Sequence, residues 1–286
     1  MSTTPLPTRP AWWQWPTVLS LDAPAVTVAW QALMADAIHF PLRPAHIWVL
    51  AASVWLAYAA DRWTEGWRLT SERVRTHRHR FYHQHRWRVA VVWLLVLMAD
   101  LAASLQALSE AEWLKGLLLA ASVLLYLAVQ LPAARERRWD LPKEACTALL
   151  LTAGAALFLT SSPRFGELFW PLALFACLCF ANCALISVWE REVDLAHGQS
   201  SMALRMHRST RSIRVLPFAV AAGWIALGVV ASPDLRTVAI AGFISALCLA
   251  VIDACEPRLG WPPARVLADL SMLAPIAIIF LARWVS

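Results

Sequence analysis

The apolar positions of this chain come in long unbroken runs, with polar residues gathered between them. About 20 consecutive apolar residues can cross the hydrocarbon of a bilayer as a helix. Nine stretches approach that length: 18–39, 43–60, 87–107, 112–131, 145–161, 167–188, 213–231, 237–252 and 265–285. Asp22 and Asp36 interrupt the first, and the fifth and eighth are short. Ahead of them lies a Pro-rich segment, 1–17, with Arg9 as its one positive charge. It lacks an A-x-A-like site behind a short apolar core, so it reads as a cytoplasmic tail or interfacial stretch rather than a secretory signal.

The pattern predicts an all-α polytopic membrane protein with one nine-helix domain over 18–286. Lys and Arg then orient it, because they accumulate in cytoplasmic loops. Loop 61–88 carries eight, 132–144 four, 189–214 five and 253–265 two; with Arg9 that makes 20 of the 25, against five on the opposite side. The expected topology has these four loops and the N-terminus in the cytoplasm, the C-terminus outside, and the inner cell membrane as the site.

Composition strengthens this reading. Hydrophobic residues make up 59% and charged residues 15%, where soluble domains carry roughly 25% charged. That excludes a single water-exposed globule, and no nucleic-acid partner is expected. The 17 Trp suit a chain with many membrane–water interfaces. Six cysteines lie in or beside apolar runs without CxxC or zinc-site spacing, as small buried residues do.

Two acidic pairs stand out. Asp61 and Glu65 open the first long cytoplasmic loop, four residues apart; Glu190 and Asp194 open the third with the same spacing. On a helix this places both carboxylates of a pair on one face. Each pair follows an even-numbered stretch, so both face the cytoplasm. Four converging carboxylates would repel one another unless they share hard cations, and Mg²⁺ typically shares carboxylates with substrate phosphates. The arginines nearby, Arg62 and Arg191 among them, suit a diphosphate. A diphosphate head with an apolar tail among the helices describes a prenyl diphosphate. The plainer reading is that these acids merely balance neighbouring arginines.

These windows resemble the motifs of the UbiA superfamily of intramembrane prenyltransferases. Asp61 and Glu65 match the last two positions of the family's NxxxDxxxD motif, with Ala57 in place of Asn and Glu65 in place of Asp. Glu190-Arg191-Glu192-Val193-Asp194, followed by Gly198 and Ser201, is similar to the family's DRDxDxxxGxxS run, with Glu190 in place of Asp. The resemblance implies a nine-helix bundle around a central cavity. It implies Mg²⁺ held by Asp61, Glu65, Glu190 and Asp194, and Lys143 on the diphosphate. The expected reaction is transfer of a prenyl group to a hydrophobic or aromatic acceptor, such as a quinone precursor. Tyr58, Asn182 and Ser201 are further substrate-binding candidates. Trp55, Trp63, Trp93, Trp170, Trp189 and Phe180 could face a carbocation.

Three functions stay open on sequence alone: the prenyltransferase, a terpene cyclase of the same superfamily, and a non-enzymatic transporter or lipid-binding protein. Asp22, Asp36, Asp100, Asn182 and Asp269 lie in or near the membrane, where polar groups are either functional or interhelical glue. The His-Arg segment 75–86 reads as a basic amphipathic stretch on lipid headgroups rather than a metal site. Arg205, Arg208, Arg211 and Arg214 read as a stripe reaching for lipid phosphates.

Overall fold

The structure, a computed structural model, describes residues 9–68, 75–129, 143–197, 201–205 and 210–285. Most of the 132–144 loop therefore lies outside the described residues, as do Gly198 and Arg208. The α-helices are α1 (Trp15–Val18), α2 (Asp22–Ala37), α3 (Pro44–Arg68), α4 (His77–Gln84), α5 (Arg86–Ala107), α6 (Glu110–Val129), α7 (Lys143–Ala156), α8 (Phe169–Trp189), α9 (Arg191–His197), α10 (Met202–Arg205), α11 (Arg211–Val230), α12 (Pro233–Leu259), α13 (Trp261–Ser271) and α14 (Ala274–Val285). No strand occurs among the described residues.

Every predicted apolar stretch falls on a helix, but not every one is an uninterrupted span. Helices α5, α6, α8, α11 and α12 are long and apolar enough to cross a membrane. Two bent pairs raise the number to seven if each counts as one span. The first bends by 78° between α1 and α2, where Ser20 adopts a positive φ; the second bends by 42° between α13 and α14. Helix α3 has 25 residues but ends in the charged turns of Asp61–Arg68. Helix α7 has 14 residues, about 21 Å, short of a hydrocarbon core of about 30 Å. Such apolar helices fit a multi-pass membrane protein.

Two expected loops are largely helical. Helix α3 continues past residue 60 to Arg68, and Thr76 caps α4 by accepting from the His79 amide. The interval 253–265 is a turn at one residue: α12 runs on to Leu259, and Gly260, at φ 78°, hands over to α13. The charges at Asp253 and Arg258 ended the apolar run without ending the helix. Asp253 is buried because Trp189 and Arg214 both donate to it.

The main core is built from α2, α7, α8, α11, α12 and α13. At its centre Trp30 stacks on Phe175 at 4.6 Å, lies 5.7 Å from Trp224, and donates its indole N–H to the Met272 carbonyl. Trp224 presses on Gly242 of α12, where an added Cβ would sit 2.1 Å from the indole ring. Helices α5 and α6 are different. Only 17% and 6% of their spans are buried, against 50% for α8 and α12. Their outward Leu94, Leu95, Leu118 and Leu125 form an apolar surface suited to lipid.

The short connections meet at one end of the bundle. Arg43 pairs with Glu112 at 2.9 Å, Arg164 with Asp234 at 3.1 Å, and His39 lies 3.3 Å from Asp234. The long connections meet elsewhere, through Arg78, Glu190, Arg214, Asp253 and Arg265.

Candidate functional site

Between the core and the outer helices α3, α5 and α6 lies a cavity of about 620 Å³. Along α3 its lining runs from Val49 to Arg62, about 20 Å of helix. Most of the wall is aliphatic: Leu50, Val54, Leu97, Leu117, Val123, Leu151. The charged lining is concentrated where α3 ends and α8 gives way to α9: Asp61, Arg62, Arg78, Lys143, Glu190, Asp194 and Arg265. One end is thus ionic, and the rest is mostly aliphatic with Asp22, Asp100, Asn182 and Asp269 set into it.

The first acidic pair divides. Asp61 lines the cavity, and its nearest cations, Arg62 and Lys143, stand 3.9 Å away. Glu65 lies outside the lining, with Arg62 and Lys143 donating to it at 2.8 and 3.1 Å. His79 Nε2 contacts it at 3.0 Å, while Nδ1 meets the Thr76 hydroxyl. Burial holds the His79 imidazole neutral, at about 3, so the network assigns Nε2 as the donor to Glu65. Burial works against the charge of Glu65, yet Lys143 and Arg62 outweigh it and hold the carboxyl well below its usual range. Glu65 is thus enclosed by Arg62, Lys143 and His79.

The second pair stays in the cavity. Glu190 caps the end of α8, its amide donating to the Ile186 carbonyl. Its Oε2 accepts from Arg265 at 2.6 Å and Arg78 at 3.1 Å. Burial disfavours the charge, but Arg265 and then Arg78 prevail and hold this carboxyl at about 2. Oε1 of Glu190 is buried without a partner, as are Nε and Nη1 of Arg78 and Nε of Arg265. Asp194 is buried, and burial followed by the charge of Glu190 lifts its carboxyl to about 6.

Of the other sequence candidates, Tyr58, Arg62, Lys143, Asn182 and Ser201 line the cavity, while Arg191 is exposed and outside it. Of the aromatic candidates, Trp93 lines the cavity, with its indole donating to the Leu56 carbonyl; Trp113, which the sequence reading passed over, lines it too. Four further polar residues were missed as site groups. Arg78 and Arg265 counted only as topology charges, and His79 as part of a headgroup-binding stretch. Glu144 is buried in the lining and accepts from the Met202 amide at 2.8 Å. Arg214, expected to reach for lipid, bonds Asp253 at 2.7 Å.

Among the described residues, no three His, Cys, Asp or Glu side chains group closely enough to hold a metal ion by themselves. Asp61, Asp194 and the lone Glu190 Oε1 are nonetheless hard oxygen donors facing one cavity. Oxygen donors of this kind are the type Mg²⁺ shares with a ligand's phosphate oxygens. Glu65, also expected among the ligands, lies outside the cavity lining.

No family model, curated protein or solved structure matches the chain.

Proposed function

We propose that the chain is an intramembrane enzyme that transfers a prenyl group from an allylic prenyl diphosphate to an aromatic or quinone-precursor acceptor. The observation that carries this is the set of unpaired buried atoms at the ionic end. Buried polar groups seldom lack partners, and guanidinium N–H groups bind phosphate oxygens strongly. Arg78 and Arg265 hold three such N–H-bearing nitrogens beside an unpaired Glu190 oxygen, at the mouth of an aliphatic chamber. A diphosphate answers the nitrogens, and its apolar chain suits the wall. The motifs around Asp61 and Glu190 add the UbiA resemblance to the same reading.

In this mechanism Arg62, Arg78, Lys143 and Arg265 bind the diphosphate. Asp61, Glu190 and Asp194 would hold Mg²⁺, which when bound neutralises developing charge on the diphosphate. The aliphatic wall excludes water that would quench the cation, and Trp93, which lines the same chamber, is an aromatic side chain available to stabilise it. The bond from the prenyl carbon to diphosphate oxygen breaks. A bond from that carbon to the acceptor ring forms, and diphosphate and one proton are released.

The resemblance also supports nine spans, with α3 and α7 crossing beside the seven others. Nine places the N-terminus and the long connections in the cytoplasm and the C-terminus outside the inner membrane. The meeting of the four short connections at one end is the supporting observation. Mass spectrometry of lipid extracts after incubation with several prenyl diphosphates, with and without Mg²⁺ and acceptor, tests the function. A prenylated acceptor is expected. A cyclised hydrocarbon formed without acceptor would instead indicate the terpene cyclase. Full Mg²⁺-dependent turnover by both Asp61→Asn and Asp194→Asn would refute the mechanism.

A further inference from the structure

A second polar cluster lies in the same cavity, displaced from the ionic end. Asn182 is two helical turns before Glu190 on α8, about 12 Å of helix, and Asp269 is one turn beyond Arg265 on α13. Asn182 Nδ2 donates to Asp269 Oδ1 at 3.3 Å. The other carboxyl oxygen, Asp269 Oδ2, is buried without a hydrogen-bond partner, and the carboxyl of Asp22, in the first turn of α2, stands close by. All three residues line the cavity. Asn182 is 92% buried, yet its Oδ1 has no partner.

The diphosphate proposed at the ionic end has no use for these groups. Its oxygens are acceptors, and so are the oxygens offered here. What the cluster lacks is a hydrogen-bond donor. It also disfavours an anion, whose charge would meet two acidic side chains in a largely apolar wall. An aromatic ring is activated toward alkylation by a hydroxyl group, and a hydroxyl is the donor that a neutral ring can bring.

We infer that Asn182 and the Asp22–Asp269 carboxyl pair seat the hydroxyl group of the acceptor, and so select a neutral phenol over an aromatic acid. This rests on the prenyl-transfer reading for calling the ligand an acceptor; the donor-selective pocket does not. Three helices, α2, α8 and α13, each bring one group to it, so the seat exists only in the folded chain.

The test is binding to the full chain in lipid nanodiscs, measured by ligand-observed NMR against empty nanodiscs. Three matched probes are used: 4-propylphenol, its methyl ether 4-propylanisole, and 3-(4-hydroxyphenyl)propanoate. The phenol should bind about tenfold more tightly than the ether, which cannot donate, and than the acid, which brings a negative charge. Asn182→Ala and Asp269→Asn should each narrow the gap between phenol and ether. The comparison of probes on the unaltered protein decides the matter even where a variant misfolds. Equal binding of phenol and ether, or binding of the acid as tight as that of the phenol, overturns the proposal. Diphosphate release from farnesyl diphosphate is followed in parallel. Release with no phenol preference sinks the seat alone. A phenol preference with no release from this or longer prenyl diphosphates keeps the donor-selective pocket and sinks prenyl transfer.

Discussion

The two ends of the bundle are both tied by arginine–carboxylate pairs, but they differ in what the pairs leave over. At the short-connection end Glu112 accepts from Arg43 through both carboxylate oxygens and from the Ser109 amide and hydroxyl, with His46 also in contact. Nothing on Glu112 is left unpaired. At the other end Glu190, Arg78 and Arg265 make two short contacts and still keep buried atoms without partners. Both carboxylates are buried, so burial and charge alone do not separate them. Surplus hydrogen-bonding capacity facing a cavity does. An ion pair that closes on itself is structural, and one that stays open toward empty volume invites a ligand.

Four substitutions probe that contrast. Asp194→Asn at the open end should leave the fold intact and lower turnover on the order of a thousandfold, about 4 kcal/mol of transition-state stabilisation, by removing one anionic oxygen donor. Rates of prenyl transfer at saturating Mg²⁺ measure it, and a loss under tenfold would remove Asp194 from the site. Glu190→Ala strands Arg78 and Arg265 without their counterion, so thermal unfolding in detergent should show a loss of about 3 kcal/mol. Loss of activity without that destabilisation would mean the arginines had found other partners. Glu112→Gln at the closed end should cost about 2 kcal/mol of stability, from the hydrogen bonds it weakens, while turnover persists. A fall in turnover matching that of Asp194→Asn would erase the distinction between the ends. The smallest effect is expected from Glu65→Asp. It shortens the clasp on Arg62, Lys143 and His79 and should change stability by about 1 kcal/mol. A rise in activity would instead return Glu65 to the set of metal ligands.

Much of the helix pattern was legible because hydropathy alone decides which segments can lie against lipid. The breaks were not. Asp22 and Asp36 interrupt the first apolar stretch, yet the chain bends at Ser20, where the backbone turns through a positive φ. Conversely, Asp253 suggested a loop and sits inside α12, because Trp189 and Arg214 satisfy it from elsewhere in the chain. The same limit governs the site. Four-residue spacing put Asp61 and Glu65 on one helix face. It could not show that His79, 14 residues on, and Lys143, 78 residues on, would cover Glu65 and leave Asp61 to the cavity. Arg78 and Arg265 were visible only as charges that set topology. Their role arises from tertiary placement beside Glu190, which no local pattern encodes.

Helix α6 has a consequence of another kind. It walls the cavity from Trp113 to Leu127, yet only 6% of its span is buried in the protein. Protein holds it chiefly at its first turns, through Glu112, Trp113 and Lys115, and lipid supplies most of its lateral packing beyond. Its 20 residues reach about 30 Å, close to the thickness of an average hydrocarbon core. In shorter-chain lipid it must lean to hide its length, and in thicker lipid it must straighten. One wall of the chamber is then backed by acyl chains rather than by protein.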